Sequence, residues 1–279
     1  MMVDLSVAGT IRRALMEDAG SGDITSQLTV AEDSCSVAVL VAKESFVLAG
    51  MPYVQEVFVQ VDPAVKVKVF EKEGTPVKSG GVLAELSGRT CSLLLGERVA
   101  LNILQRVSGI ASLTNSYVNK VKAYPVKITD TRKTSPGLRA LEKYGVRMGG
   151  GWNHRFCLSD GVLIKDNHIA ASGSIAKAVA RSRMAHHLLK IEVEVTTLDE
   201  LCEALDAGAD VIMLDNMGLD EIRRAVEVNR KRVLLEVSGG VSLDTVEQIA
   251  ATGVDIISVG ALTHSARAVD ISMNIRKKG

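Results

Sequence analysis

The sequence predicts an α/β protein in which a small α+β domain precedes an incomplete parallel α/β barrel. Three observations lead to this fold class. Short β-branched runs follow one another in residues 36–86, with no helical pattern between them. Beyond residue 125, strand patterns alternate with helical ones, as in parallel α/β folds. The last four of these later strands recur about every 22 residues, which is typical of repeated βα units.

The first domain begins with a predicted amphipathic helix over residues 5–18, where apolar side chains recur at helical spacing. Strands are predicted over residues 36–43, 46–49, 65–70 and 82–86, separated by Gly, Pro and Asp. Because these strands follow one another directly, we expect them to form an antiparallel sheet.

Residues 90–123 have a helical pattern with a predicted break near Ser108 and Gly109. We place the domain boundary here: residues 1–114 form the first domain with connecting helices, and residues 115–279 form the barrel domain with the active site. The last helix of the barrel domain is expected to pack back on the first domain.

The barrel domain has six predicted strands, over residues 126–129, 162–165, 190–195, 211–214, 233–237 and 256–259. Residues 208–215 (GADVIMLD) and 253–260 (GVDIISVG) resemble each other and form an internal sequence repeat, two βα units apart. Since a complete barrel has eight strands, we expect an incomplete one. A doubly wound open sheet is the alternative.

The composition excludes some classes of protein. Lys and Arg balance Asp and Glu, so no overall field favours a nucleic acid or a membrane surface. The apolar runs are too short to span a bilayer, and the early charges do not follow the order of a signal peptide. The four cysteines are widely spaced, which predicts reduced thiols and a cytoplasmic protein.

Residues 130–169 have a strong local excess of cations. This stretch contains seven Lys or Arg and two His but only four acids. The seven Lys and Arg are Arg132, Lys133, Arg139, Lys143, Arg147, Arg155 and Lys165. Such an excess in a neutral chain indicates a site for an anionic ligand. A basic surface loop is the alternative, although Gly149–Gly151 and Trp152 favour a shaped loop. Some of the cations, such as Lys143, are expected to be merely solvated.

Polar side chains end several of the barrel strands, where side chains from different strands converge. Glu192 and Glu194 share one face of their strand because strand side chains alternate. Glu192 is either a structural ion pair or part of the site. Glu194, Asp215 and Lys165 lie nearer the strand ends, which favours a functional role.

The glycine-rich ends of the last two strands are candidate phosphate sites, because backbone N–H groups there are open to an anion. Many cations with two acids suit a multiply anionic substrate whose reacting centre becomes positive. The acids would then stabilise an oxocarbenium-like transition state. The residues alone do not identify the substrate.

Several ordered motifs resemble one family over nearly the whole chain: GDITS (22–26), ERVALNILQRVSGIA (97–111), DTRKT (130–134), NHR (153–155), LIKDNHI (163–169), EVEV (192–195), MLDNM (213–217), SGG (238–240) and SVGALTHS (258–265). The chain resembles the quinolinate phosphoribosyltransferase family, also called nicotinate-nucleotide pyrophosphorylase (carboxylating). The resemblance implies an N-terminal α/β sandwich and an incomplete barrel. It departs from the expected pattern at Ser135, Gly145, Cys157 and Thr196–Thr197, all beside the charged set.

The resemblance implies transfer of phosphoribose from phosphoribosyl pyrophosphate to quinolinate with decarboxylation, a step of de novo NAD biosynthesis. The products are nicotinate mononucleotide, pyrophosphate and CO2, and the cofactor is Mg2+. It also implies a homodimer in which Arg106 completes the partner's site, with higher oligomers possible and no nucleic acid or membrane partner.

The resemblance assigns roles residue by residue. It implies catalytic roles for Lys133, Lys165, Glu194 and Asp215. The implied substrate-binding residues are Arg106, Thr131, Arg132, Lys133, His154, Arg155, Lys165, Glu194 and Asp215. The implied phosphate-binding residues are Ser238, Gly239, Gly240, Gly260 and Ala261. No metal ligand is certain, with Glu194 and Asp215 able to contact the ion through water.

Two other functions remain open at this point, together with a neighbouring family. One is a barrel lyase or aldolase with Lys165 as a Schiff base. Another is a non-catalytic anion-binding protein that keeps the fold. A related family associated with molybdenum transport shares DTRKT and HR but lacks the KDNH element, so the intact Lys165–His168 argues against it.

Overall fold

The computed structural model describes residues 5–276, which form two compact units. The first unit comprises residues 5–115, 134–150 and 262–276, and the second comprises residues 116–133 and 151–261. The predicted boundary between residues 114 and 115 lies beside the first division of the chain. Two later segments, however, fall in the first unit and not in the second.

The first unit is built around a four-stranded antiparallel sheet with the order β12-β1-β5-β3, and β2 and β4 form a separate pair. Its elements, with the helix α4 that continues into residues of the second unit, are α1 (Leu5–Ala19), α2 (Ile24–Thr29), β1 (Cys35–Ala42), β2 (Phe46–Val47), α3 (Met51–Val61), β3 (Lys66–Val69), β4 (Pro76–Val77), β5 (Val82–Arg89), α4 (Thr90–Lys120), α5 (Arg139–Met148) and β12 (Ile271–Arg276).

One hydrophobic core joins the parts of the first unit. Phe58 of α3, Leu83 of β5 and Leu104 of α4 are all buried in it. Leu141 and Tyr144 of α5 belong to the same core, and so does Ile271 of β12. Residues 134–150 and 262–276 are therefore part of the first unit because their apolar side chains are buried there.

Two predictions for the first unit are wrong. The strands do not follow one another directly, because α3 lies between β2 and β3. The last described element is the strand β12, which pairs antiparallel with β1. The long helix α4 has no break at Ser108 and Gly109. A Cβ at Gly109 would collide with the backbone of Arg267, so this glycine permits close packing and does not end the helix.

The second unit is a six-stranded parallel sheet with the order β6-β11-β10-β9-β8-β7. Its elements, with α11 at the return to the first unit, are β6 (Lys127–Thr129), β7 (Val162–Ile164), α6 (Asp166–Ser172), α7 (Ile175–Ser182), β8 (Ile191–Val195), α8 (Leu198–Asp206), β9 (Val211–Asp215), α9 (Leu219–Asn229), β10 (Leu234–Ser238), α10 (Val246–Ala250), β11 (Ile256–Ser258) and α11 (Ala261–His264).

All six predicted barrel strands are confirmed, each to within one residue at either end. The edge strands β6 and β7 are not paired with each other, so the sheet is open. The predicted fold class, a mixed α/β protein whose second half is an incomplete parallel sheet of six strands, is therefore confirmed.

None of the helices within residues 5–276 combines the length and the apolar character that crossing a bilayer requires. The four cysteines are all free thiols, as their wide spacing predicts.

Candidate functional site

A cavity of about 550 Å³ lies in the second unit at the carboxyl ends of its strands. Most of the site residues predicted for this unit line it: Thr131, Arg132, Lys133, His154, Arg155, Lys165, Glu194, Asp215, Ser238, Gly239 and Gly240. The lining also includes Leu163, Met213, Asn216, Glu236 and Ser258, to which the sequence analysis gave no role. The predicted convergence of strand ends therefore occurs.

The cations of residues 130–169 divide between the two units. Arg132, Lys133, Arg155 and Lys165 line the cavity, whereas Arg139, Lys143 and Arg147 lie on α5 in the first unit. The expectation that Lys143 is solvated is wrong, because this residue is buried. The local density of cations thus overstates the charge of the site, since three of the seven belong elsewhere.

Asp130, which is fully buried, joins the segment after β6 to the segment around residue 154. One carboxylate oxygen accepts a hydrogen bond from the His154 backbone N–H at 2.9 Å. The other accepts from Asn153 Nδ2 at 2.6 Å. Since Asp130 follows β6 and is followed by Thr131, Arg132 and Lys133, these bonds fix His154 and Arg155 beside the end of β6.

Lys165 and Glu194 form a close ion pair at the ends of β7 and β8. Lys165 immediately precedes α6, and its side chain is 42% exposed, while that of Glu194 is 13% exposed. An ammonium group held on a carboxylate is not a free amine nucleophile, so this contact argues against a Schiff-base role for Lys165. Lys165 is therefore already paired with Glu194 when an anionic substrate arrives.

The segments that follow β9 and β10 lie close together beside Asp215. Asn216 donates from Nδ2 to an oxygen of Asp215 at 2.8 Å. The Asn216 backbone N–H donates to the Ser238 carbonyl at 3.0 Å. Gly239 has φ of 91°, and a Cβ there would lie 2.6 Å from Asn216 Cγ. Only glycine therefore allows this approach of the two strand ends.

The predicted phosphate-binding segment is partly in place. Gly239 and Gly240 both have positive φ, of 91° and 61°, a backbone form that can turn N–H groups toward an anion. Gly260 and Ala261 follow β11 and do not line this cavity. From β11 the cavity is instead lined by Ser258.

Arg106 lies in the first unit and is not brought to this cavity. Its Nη2 donates to Glu142 Oε1 at 2.9 Å and makes a close bond to the Thr263 carbonyl. Its Nη1 donates to the Ala266 carbonyl at 2.5 Å. These partners all belong to the first unit, and the role predicted for Arg106 in a partner's site stays a prediction.

A buried acid pair, Glu192 of β8 and Glu236 of β10, lies in contact with His154. His154 Nε2 is 3.1 Å from Glu192 Oε2 and 3.6 Å from Glu236 Oε1. Oε1 of each glutamate is buried without a hydrogen-bond partner. Burial and the neighbouring Glu192 carboxylate raise the pKa of Glu236 to about 8. One proton between the two carboxyls would supply the missing donor.

Glu236 is not among the site residues predicted from the sequence, although a signal for it exists. Glu236 and Ser238 are two residues apart on β10, as Glu192 and Glu194 are on β8. Because strand side chains point to opposite faces in turn, the two members of each pair share one face. Two strands that each place a glutamate on the polar face predict an acid cluster. Glu192, for which an ion pair and a site role were both open, contacts a residue of the cavity lining.

Arg155 follows His154 and is held by its neighbours. Its Nη1 donates to the Gly161 carbonyl at 2.9 Å. Burial and the nearby Arg132 lower the pKa of Arg155, and the Glu192 carboxylate opposes them. Two guanidinium groups that disfavour each other's charge suit a site that receives an anion between them.

Comparison with protein families matches almost the whole chain to two models. Residues 23–108 match the N-terminal domain of quinolinate phosphoribosyl transferase, and residues 110–274 match its C-terminal domain. A relative in Bacillus subtilis, named as a probable nicotinate-nucleotide pyrophosphorylase (carboxylating), is 46% identical over 98% of this chain and 95% of its own length. A relative of the same name in Synechocystis is 44% identical over 95% and 91%.

Solved structures agree with the sequence comparisons. The nicotinate-nucleotide pyrophosphorylase of Francisella tularensis is 42% identical, with a TM-score of 0.95 over 99% of this chain and 98% of that one. The motifs quoted from the sequence therefore predicted the family correctly. The cavity at the strand ends has the cations and acids that those motifs supply. The chain belongs to the quinolinate phosphoribosyltransferase family.

Proposed function

We propose that this protein transfers phosphoribose from phosphoribosyl pyrophosphate to quinolinate and releases pyrophosphate and CO2, leaving nicotinate mononucleotide. The observation that carries the proposal is the composition of one cavity. Four cations, two rim carboxylates and a glycine-rich strand end line it, in a chain of this family. These are the groups that a substrate with phosphates, carboxylates and a developing positive centre requires.

The quinolinate carboxylates are assigned to Arg132, Arg155 and Lys165. Guanidinium groups bind carboxylates through two parallel hydrogen bonds, which orients a rigid dicarboxylate as well as holding it. Arg106, supplied by the partner subunit of a homodimer, would add a further guanidinium. In its own subunit Arg106 is held by Glu142, Thr263 and Ala266.

Phosphoribosyl pyrophosphate is assigned to the other strand ends. Thr131 and Lys133 after β6 and Lys165 after β7 would hold the pyrophosphate. The 5′-phosphate would lie against the N–H groups after β10 and β11, at Ser238, Gly239, Gly240, Gly260 and Ala261. Glu194 and Asp215 would accept the ribose hydroxyls.

The reaction needs charge stabilisation more than a protein nucleophile. The pyridine nitrogen forms a bond to ribose C1 while the bond from C1 to pyrophosphate breaks, and Glu194 and Asp215 stabilise the cationic C1. The alkylated nitrogen is then positive. When the adjacent C–CO2 bond breaks, its electron pair stays on the ring carbon beside that charge, and this carbon then takes up a proton.

Magnesium fits the donor set of the cavity. Mg2+ takes oxygen ligands and keeps several waters, and the two rim carboxylates offer such oxygens. Glu194 already pairs with Lys165, so contact through water, together with substrate pyrophosphate, suits these residues better than a cage of protein ligands. When bound, the ion would neutralise charge on the leaving pyrophosphate.

Homodimer assembly, higher oligomers and a cytoplasmic location are part of the proposal and are supported by the family resemblance and the sequence composition. The assembly is checked by sedimentation of the purified protein with and without quinolinate.

The proposal is tested with quinolinate labelled in its C2 carboxyl. Purified protein with Mg2+ should release labelled CO2 only when phosphoribosyl pyrophosphate is present. No release under those conditions would refute the activity. Quinolinate binding without turnover, unchanged when Glu194 and Asp215 become Ala, would indicate an anion-binding protein. A borohydride-trapped adduct on Lys165 would indicate a lyase.

A further inference from the structure

His154 is anchored at three points, all of them on protein atoms. Its backbone N–H donates to Asp130 at 2.9 Å. Its ring Nδ1 accepts the backbone N–H of Arg155 at 2.9 Å. Its ring Nε2 faces the buried acid pair, 3.1 Å from Glu192 Oε2. Both ring nitrogens are therefore engaged below the rim of the cavity.

The bond from Arg155 determines the tautomer of the ring. A backbone N–H is always a donor, so Nδ1 must offer a lone pair and has no hydrogen. The ring hydrogen of a neutral imidazole is then on Nε2, where it points at Glu192 Oε2 within hydrogen-bond range. In this arrangement His154 is a neutral donor to the acid pair.

This geometry does not fit two other roles for His154. A metal ion on His154, Glu192 and Glu236 would need the lone pair of Nε2, which here has the hydrogen. A cationic imidazolium that binds a substrate carboxylate would need hydrogen on both nitrogens, which would set Nδ1–H against the Arg155 N–H. Direct binding of quinolinate by His154, which the family resemblance implies, stays a prediction.

The acid pair can hold the ring because it is buried and incompletely paired. Glu192 and Glu236 are 8% and 2% exposed. Glu236 also contacts the Ser258 hydroxyl and the Glu192 carboxyl, so the pair spans β8, β10 and β11. A buried N–H that loses its acceptor is strongly destabilised, which makes the ring orientation depend on these carboxyls.

We propose that Glu192 and Glu236 are positioning residues, which fix His154 as the Nε2–H tautomer so that its Nδ1 holds the Arg155 backbone and aims the Arg155 guanidinium at the anionic substrate. The chain of contacts runs from the acid pair through the imidazole to the Arg155 N–H. The link to quinolinate rests on the proposed function, whereas the tautomer does not.

The tautomer is tested by NMR of protein with ¹⁵N-labelled histidine rings, which distinguishes Nε2–H, Nδ1–H and doubly protonated rings. The signal of His154 is assigned from its loss in His154→Gln. We expect the Nε2–H form, with and without quinolinate, and unchanged by Zn2+ or Mn2+. An Nδ1–H ring, a doubly protonated ring with quinolinate, or a metal-dependent change at this signal would overturn the proposal. None of these readings depends on turnover.

The positioning role is tested with a matched pair of variants. Glu192→Gln keeps an oxygen for Nε2–H and should keep the tautomer and the KM for quinolinate within about twofold. Glu192→Leu removes the acceptor and should mix the tautomers and raise that KM about tenfold, with a smaller change in kcat and in the KM for phosphoribosyl pyrophosphate. Glu236→Gln tests the second carboxyl where Glu192→Leu fails to fold.

Glu247→Gln, an exposed substitution on α10 in the same unit, is the control and should match the unaltered protein. Equal losses in Glu192→Gln and Glu192→Leu would contradict the proposal, because they would indicate a need for charge rather than for a hydrogen-bond acceptor. A kcat loss with unchanged KM would contradict it too, since it would place the acid in the chemistry itself.

Discussion

Two buried carboxylate sites, one in each unit, differ in how completely their oxygens are paired. In the first unit Glu142, which is fully buried, accepts Arg106 Nη2 and Ser135 Oγ on one oxygen, both at 2.9 Å, and the Ser135 N–H on the other at 3.1 Å. In the second unit, Glu192 and Glu236 each keep one buried oxygen without a hydrogen-bond partner.

The difference separates two uses of a buried acid. A carboxylate whose oxygens are all matched to donors is fixed in one state and holds its surroundings together. Carboxyls that face each other with too few donors favour a shared proton and raise a pKa, as seen at Glu236. Such an arrangement occurs where groups are positioned for function. We therefore expect Glu142 variants to lose stability and variants at the site to lose activity.

The largest effect should come from Glu142→Ala. Removing one member of a buried ion pair leaves the other charge uncompensated, which costs about 3–5 kcal/mol. Urea unfolding followed by circular dichroism should show this as a lower free energy of unfolding. A loss of unfolding free energy below about 1 kcal/mol would contradict the contrast drawn with Glu192 and Glu236, because Glu142 would then contribute little to stability.

Glu194→Gln should show the opposite pattern. Glu194 lies at the rim in an ion pair with Lys165, whose side chain is 42% exposed, so the unfolding free energy should change by no more than about 0.5 kcal/mol. Turnover should fall by about 10²–10³-fold, as when one preorganised electrostatic group is removed. Steady-state rates and urea unfolding of the same preparation measure both. A lower unfolding free energy with unchanged turnover would instead assign Glu194 a structural role.

A smaller stability effect is expected from Tyr144→Phe in the first unit. Tyr144 is buried and donates from Oη to Glu73 Oε2 at 2.7 Å. Glu73 also accepts the backbone N–H groups of Gly50 and Met51 at the start of α3. Loss of one bond to a charged acceptor should lower the unfolding free energy by about 1–2 kcal/mol without affecting turnover. An unchanged urea midpoint would mean that water replaces the hydroxyl.

The smallest effect should come from a partly exposed carboxylate of the first unit, Glu44. Arg267 hydrogen-bonds Glu44 and lowers the pKa of Glu44 to about 2 from its ordinary 4.5. A depressed folded-state pKa contributes stability above pH 4.5 that is lost as the pH falls toward 2. Thermal unfolding of Glu44→Gln and the unaltered protein should therefore converge across that window. A difference in melting temperature between the two proteins that grows as the pH falls would contradict a lowered pKa of Glu44.

The sequence predicts the second unit better than the first because its signals are local. Each barrel strand is a short apolar run that ends in polar residues, and the geometry of parallel strands brings those ends together. Glu194, Asp215, Lys165 and Arg132 were found in this way. Glu236 was not, because its significance depends on Glu192, two strands away in the sheet.

The first unit depends on partners that are distant in sequence. Arg106 is 157 and 160 residues from the carbonyls of Thr263 and Ala266 that it binds, so no local pattern predicts these contacts. Gly109 was interpreted as a helix break because the backbone of Arg267 that requires it cannot be seen in the sequence. The helix α3 could have been found: Met51, Val54 and Phe58 recur at helical spacing, and Pro52 lies in its first turn.

The pairing of β12 with β1 has a consequence for biosynthesis. Residues 116–133 and 151–261 are all translated before residues 271–276. Until then β1 presents an open edge, since its partner on that side is β12. The nascent chain thus exposes a strand edge that is prone to aggregation until late in synthesis. The sheet whose first strands are made earliest is the last to be completed.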